Sequence, residues 1–104
     1  MKHMYADIEN GVIIHLMDIG EGWLITSVGV QSHQRGRGAA SKLLDEVLKN
    51  SEAEKVTMFL SIEPDGTGLD GEVLRAWYGR KGFVAMDPKI SEIGMVKAAL
   101  NSSN

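Results

Sequence analysis

The chain reads Val30-Gln31-Ser32-His33-Gln34-Arg35-Gly36-Arg37-Gly38-Ala39-Ala40 at the point where a predicted strand ends and a predicted helix begins. The β-branched, apolar run 23–30 predicts the strand, and apolar residues at helical spacing between Ala39 and Leu48 predict the helix. The first N–H groups of a helix have no partner within the helix and carry partial positive charge. Small residues let a ligand approach those groups, and two arginines with Lys42 add formal positive charge. The segment therefore predicts a cradle for a diphosphate.

Other phosphate motifs do not fit this segment. It has no Gly-Lys-Ser/Thr, and the dinucleotide pattern Gly-x-Gly-x-x-Gly fails at Ser41. Two alternatives stay open: a plain glycine-rich connection between strand and helix, and an Arg-Gly contact with nucleic acid. The net charge of −3 argues against the second, so no nucleic-acid partner is expected.

The rest of the chain predicts the element order β-β-β-α-β-α-β-β. The further strands are predicted at 4–8, 12–17, 55–62, 83–86 and 90–96. Val73, Leu74, Trp77 and Tyr78 form the apolar stripe of the second helix, which Gly82 is predicted to end. Gly29, inside the third strand, indicates a bulge or the close approach of a ligand. One strand–helix–strand step among hairpins predicts an α/β (α+β) fold, in which two core helices pack on a mixed, mostly antiparallel sheet.

Composition limits the chemistry and the location. The 104 residues, 43% hydrophobic and 24% charged, predict a single domain at 1–100 followed by a polar tail at 101–104. With no cysteine, the chain has no disulfide, no thiolate metal site and no cysteine nucleophile. His3, His15 and His33 lack metal-ligand spacing, so no metal is expected. The sequence shows neither a long apolar run nor a signal peptide, which predicts a cytoplasmic protein without a membrane partner.

A second segment, Leu74-Arg75-Ala76-Trp77-Tyr78-Gly79-Arg80-Lys81-Gly82-Phe83, adds a family resemblance. Its Tyr-x-x-x-Gly-Phe resembles one signature of the GNAT superfamily, the Gcn5-related N-acetyltransferases. The first segment is similar to the other signature, Arg/Gln-x-x-Gly-x-Gly/Ala, with Arg35, Gly38 and Ala40 at the matching positions. The resemblance covers about residues 12–96 and implies the acyl-CoA N-acyltransferase fold.

The resemblance also implies an acetyl-CoA-dependent transfer of an acetyl group to an amine. In the family, backbone amides of the loop hold the coenzyme A diphosphate, which here implies Arg35, Gly36, Arg37, Gly38, Ala39 and Ala40. The strand before the loop parts from its parallel neighbour and pairs with the pantetheine arm, which implies Val28, Gly29 and Val30. Tyr78 is implied as the acid that protonates the leaving thiolate.

The general base is less well defined by the sequence. Without a cysteine the amine is expected to attack the thioester directly, and it must first lose a proton. Leu24 occupies the position where some family members have a glutamate. Glu63, just after the predicted central strand, is the first choice, and Glu21, His15 and a chain of waters are alternatives.

Several departures from the family pattern affect the expected function. Ser32 replaces a frequent proline, and Gly71 replaces a frequent asparagine that contacts coenzyme A. The family's two N-terminal helices do not fit before the loop, so the acceptor side is expected to be open, which suits a protein lysine or N-terminus, or to be completed by a second subunit. A chain this short leaves little cover for one edge of its sheet, and a homodimer through the terminal strand 90–96 is predicted because exposed edges invite pairing. The alternative class is a non-catalytic module on the same scaffold that binds coenzyme A or a partner protein.

Overall fold

The computed structural model describes residues 1–31, 38–62, 71–91 and 93–98, and in these ranges the chain forms six strands and two helices. The elements are β1 (Met4–Asp7), β2 (Val12–Asp18), β3 (Trp23–Val30), α1 (Ala39–Glu54), β4 (Met58–Ser61), α2 (Gly71–Arg80), β5 (Val84–Ala85) and β6 (Gly94–Lys97).

The strands form one sheet in the order β1-β2-β3-β4-β6-β5. β3 and β4 run parallel, joined through α1, and every other neighbouring pair is antiparallel. This confirms the predicted mixed, mostly antiparallel sheet with two helices. β6 lies between β4 and β5, so the edges of the sheet are β1 and β5 and not the terminal strand.

Both helices pack on the same face of the sheet. α1 buries the predicted stripe Leu43, Leu44, Val47 and Leu48 against strand residues such as Ile14. Burying each such side chain contributes roughly 1.5–3 kcal/mol. α2 begins beside Ile62, and its far end is tied to α1 by an ion pair from Lys81 to Asp45. The molecule is only 22 Å across in its thinnest direction, which corresponds to one sheet and one helix layer.

Two strands begin later than predicted, each for a local reason. The fourth strand begins at Met58 and not at Lys55, because α1 extends to Glu54 and Lys55 ends it with a φ of 57°. The last strand begins at Gly94 and not at Ile90, because the N–H of Ile90 donates to the carbonyl of Asp87 within a turn. Val73 was expected in the buried stripe of α2 but is 55% exposed.

Candidate functional site

β3 extends beyond its pairing with β4. Their parallel register covers Trp23↔Met58, Leu24↔Phe59 and Ile25↔Leu60, β4 ends at Ser61, and within the described residues β3 continues to Val30 without a partner on that side. We call Thr26 to Val30 the separated half of β3. Over this second half, β3 keeps its antiparallel partner β2 on the other side. The edge of β3 that faces β4 therefore carries backbone N–H and C=O groups that β4 does not satisfy, as the pantetheine arm of the expected ligand requires.

A β-bulge marks the point of separation. His15 pairs with Ser27 and Leu16 with Ile25, which leaves Thr26 as an extra residue on β3. A bulge bends its strand and increases the local twist, and this one directly follows the last pair that β3 shares with β4. Of the two alternatives predicted for Gly29, the bulge was wrong by three residues, since Gly29 pairs regularly with Ile13.

Gly29 has room around it in the folded chain. A Cβ placed there would meet only the carbonyl oxygen of Ile13, at 3.9 Å, and the residue is exposed. Internal packing therefore does not explain the glycine, and the expectation that a ligand approaches it remains a prediction. Val28 and Val30, beside it, are half-buried.

The N-terminus of α1 lies just beyond this strand in the chain. Gly38 precedes the helix with a φ of 76°, a left-handed conformation that glycine adopts readily. The described residues supply no side-chain cap for the helix, and no acidic residue lies in its first turn. The first N–H groups of a helix attract anions, and the cradle expected around Ala39 and Ala40 remains a prediction.

Tyr78 lies in the last turn of α2, within a Schellman motif. The N–H of Gly82 donates to the carbonyl of Gly79 at 3.0 Å, and the N–H of Phe83 donates to that of Tyr78 at 3.2 Å. Gly82 has the positive φ of 100° that this helix end needs. The rings of Tyr78 and Phe83 complete the motif with an edge-to-face contact at 5.8 Å. The Tyr-x-x-x-Gly-Phe spacing is thus the spacing of a helix cap, and it places Tyr78, at 9% exposure, in the core cluster.

Lys81 holds the ends of the two helices together. Its Nζ donates to Asp45 Oδ1 at 2.9 Å and to the hydroxyl of Ser41, in the first turn of α1. The turn that carries Tyr78 is thereby fixed to the turn that follows the glycine loop. The structure therefore brings two predicted site segments to one end of the molecule. Lys81 was not among the predicted site residues, because its position in the motif gives no signal for this contact.

Several predicted site residues lie outside the described ranges. These are Glu63 and the loop residues Arg35, Gly36 and Arg37. Ile62, which precedes Glu63, lies at the carboxyl end of β4, and its N–H donates to the carbonyl of Ile93. Because β3 and β4 are parallel, the carboxyl end of β4 lies at the same end of the sheet as the separated half of β3.

The alternative bases lie at opposite ends of β3. Glu21 precedes its N-terminal end, an eight-residue strand, or about 26 Å, from the glycine loop. His15 pairs with Ser27, within the separated half. Of these two residues, only His15 lies near the candidate site.

The described residues give two further findings. They contain no group of three His, Cys, Asp or Glu residues that could hold a metal ion. Neither of the two helices is long and apolar enough to cross a membrane.

The fold and the separated parallel strands define a class: this is the acyl-CoA N-acyltransferase fold of the GNAT acetyltransferases. An acyl-CoA N-acyltransferase from Pseudomonas aeruginosa is similar at 29% identity and a TM-score of 0.64, over 84% of this chain and 59% of that one. The PaiA N-acetyltransferase from Thermoplasma acidophilum in complex with coenzyme A is similar at 18% identity and a TM-score of 0.64, over 84% of this chain and 52% of that one. This chain thus spans only slightly more than half of either enzyme.

The anti-CRISPR protein AcrVA5 has a similar fold and nearly the same length. The likeness has a TM-score of 0.75 at 18% identity and covers 91% of this chain and 96% of that one. No protein-family model matches the sequence, and no curated protein matches it.

Proposed function

We propose that this protein is an acetyl-CoA-dependent N-acetyltransferase that acts on an amine, either a protein lysine or a protein N-terminus. The observation that carries the proposal is the edge of β3 beyond its last pair with β4, Ile25↔Leu60, which no described strand pairs and which leads toward the N-terminus of α1. The coenzyme A complex of the Thermoplasma protein with this fold supports acetyl-CoA as the donor.

The proposed site has one binding role for each segment. The diphosphate binds the backbone N–H groups of the loop from Arg35 to Ala40, where the two arginines add positive charge. The pantetheine arm pairs with the free edge of β3 at Val28, Gly29 and Val30. A backbone N–H of that edge polarises the thioester carbonyl as negative charge develops on its oxygen.

The transfer itself requires two proton movements. A base takes a proton from the amine, whose nitrogen attacks the thioester carbonyl and forms a tetrahedral intermediate. The carbon–sulfur bond then breaks, and the thiolate takes a proton from the Tyr78 hydroxyl. Glu63 is the proposed base, because Ile62, the residue before it, lies at the end of the sheet where β3 carries its separated half. Among the described residues, His15 is the alternative base.

The acceptor is proposed to be a protein or peptide amine. Both helices lie on one face of the sheet, so no described element covers the opposite face beside Ser27. An open approach admits a side chain carried on a large surface. A single domain at 1–100 and a cytoplasmic location remain part of the proposal.

Release of free thiol from acetyl-CoA tests the proposal directly. The wild-type protein is expected to release thiol with at least one member of a panel of lysine peptides, N-terminal peptides and polyamines. Intact-mass measurement separates transfer to the acceptor from acetylation of the protein itself. Binding of acetyl-CoA without thiol release over the whole panel would contradict the enzyme proposal.

The second candidate is a non-catalytic module that binds coenzyme A or a partner protein. The capping motif favours it, because the Schellman geometry explains Tyr78, Gly82 and Phe83 without any catalytic role. The likeness to an anti-CRISPR protein over nearly the full length of both chains also supports it. Substitution of Tyr78, described in the Discussion, separates the two candidates.

A further inference from the structure

The sheet face that points away from the helices carries an apolar row. Met17 pairs with Leu24, Leu24 with Phe59, Phe59 with Val96, and Val96 with Val84. Cross-strand partners point to the same side of a sheet, so these five side chains form one line across β2 to β5. We call Met17, Leu24, Phe59, Val96 and Val84 the apolar row.

The apolar row has no cover within the described residues. Both helices lie on the other face. Met17 and Val84, at the two ends of the row, are 52% and 61% exposed, and Leu24, Phe59 and Val96 between them are half-buried. Only one corner of this face, at Gly94, is approached by Met86 and Ser91 of the turn between β5 and β6. An uncovered sheet face normally carries polar residues, alternating with the apolar residues of the covered face.

This face of the sheet also carries no formal charge. By register, its strand residues are the apolar row together with Met4, Ala6, Ile13, His15, Ser27, Gly29, Ser61 and Gly94. None of them is Asp, Glu, Lys or Arg, although these types make up 24% of the chain. The covered face, in contrast, places Lys97 in an ion pair with Glu52 of α1.

We propose that the apolar row is the interface of a homodimer, in which two copies pack sheet against sheet. Two copies, each with a net charge of −3, repel one another over most of their surfaces. The uncharged face is where they can meet without bringing carboxylates together. A partner with a charged surface would find no opposite charge there, so a second copy of the same face is the matching surface.

The area of this face suits such an interface. Six strands about 4.8 Å apart, from about 7 Å long for the two-residue β5 to about 26 Å for β3, give a plane of roughly 450 Å². Two such faces in contact bury roughly 900 Å², which is in the range of weak, reversible interfaces. Packed sheets lie about 10 Å apart with their strands rotated by about 30°. A dimer centred on the apolar row leaves the separated half of β3, with Ser27 and Gly29, at the border of the interface. The proposal does not depend on acetyl-transfer activity.

Sedimentation equilibrium of charge variants tests the dimer. Wild-type protein at about 50 µM is expected to have twice the 11.3 kDa chain mass. Met17→Lys and Val84→Lys each add one lysine per copy, so that the dimer interface contains two like charges. Each substitution is expected to weaken association about 100-fold or more. Val73→Lys adds the same charge at a similarly exposed apolar residue of α2, 55% exposed, and is expected to leave association unchanged.

The fold of each variant is monitored by circular dichroism and by thermal unfolding at a concentration where wild type is monomeric. Because both interface side chains are exposed in the single chain, the lysine variants are expected to unfold near the wild-type temperature. The proposal is overturned if the wild-type protein is still monomeric at about 200 µM. So does a dimer that survives both Met17→Lys and Val84→Lys, since it would use another surface, such as the edge strands β1 and β5.

Discussion

The two halves of β3 have different pairing partners, although they belong to one continuous strand. In the first half, Trp23 to Ile25, the chain pairs with β4, and the N–H of Trp23 donates to the carbonyl of Thr57 at 2.9 Å. In the second half, Thr26 to Val30, it pairs with β2 alone. The first half holds the parallel strands together, and the second half is the one proposed to offer its free edge to a ligand. One extra residue, Thr26, separates the paired segment from the proposed binding segment.

The largest effect is expected at Tyr78, which decides whether the binding segment serves catalysis. Tyr78→Phe keeps the ring and its edge-to-face contacts with Trp77 and Phe83. Loss of one hydrogen-bonding group costs about 1 kcal/mol of unfolding free energy, so the fold and acetyl-CoA affinity are expected to survive. Loss of a general acid lowers kcat about 10²–10⁴-fold. The measurements are kcat, acetyl-CoA affinity and melting temperature.

The pH dependence of kcat provides the control for Tyr78→Phe. At alkaline pH the thiolate leaves more readily without a proton donor, so the deficit in kcat is expected to shrink. If affinity falls together with kcat, or if kcat is unchanged, Tyr78 is only a core aromatic and the non-catalytic module gains support.

The next largest effect is a loss of stability, and it concerns only the first half of β3, Trp23 to Ile25. A Cβ at Gly22 would lie 2.3 Å from the carbonyl oxygen of Thr57 and 2.9 Å from the ring of Phe59. Gly22→Ala must therefore push β3 and β4 apart where they are joined. The expected loss is about 2–3 kcal/mol of unfolding free energy, measured by urea denaturation. A loss below about 0.5 kcal/mol would show that this junction is not tightly packed.

The smallest effect on stability is expected from the same substitution at the other end of the strand. Gly29→Ala adds a methyl group in open space, 3.9 Å from its nearest neighbour, the carbonyl oxygen of Ile13. Unfolding free energy is expected to change by less than about 0.5 kcal/mol. The methyl group stands beside the edge where the pantetheine arm is proposed to lie, so acetyl-CoA affinity is expected to fall about three- to tenfold. Unchanged affinity in calorimetry would place the arm elsewhere.

The sequence predicted the elements well because local patterns determine them. β3 was predicted at its observed bounds, and the apolar stripe of α1 from Ala39 to Leu48 is buried as the spacing required. Gly82 was correctly predicted to end α2, since its place after the stripe calls for a left-handed residue. Each of these features depends on a few neighbouring residues.

The sequence did not predict the features that depend on contacts between distant segments. The bulge at Thr26 arises from its pairing with β2 and has no marker of its own, whereas Gly29, which carries the usual marker, is regular. The last strand inserts between β4 and β5, which no local pattern states. The contact between Lys81 and Ser41 joins residues 40 positions apart. The site can therefore be predicted as motifs, but its geometry depends on pairings that only the folded chain defines.

The most direct test of the central claim compares acetyl-CoA binding by Gly38→Asp and Gly38→Asn. Both side chains tolerate the left-handed conformation at this position, and no atom of the described residues lies within 4 Å of a Cβ placed there. They have the same shape and differ in charge. An aspartate favours the helix N-terminus, so Gly38→Asp is expected to be at least as stable as Gly38→Asn.

If the N-terminus of α1 cradles a diphosphate, acetyl-CoA at about 100 times its Kd stabilises the wild-type fold by about 2.7 kcal/mol. Gly38→Asn is expected to keep most of that gain, and Gly38→Asp to bind at least about tenfold more weakly, since its carboxylate faces the diphosphate. Equal affinities for acetyl-CoA in the two variants, measured by calorimetry, would contradict the account.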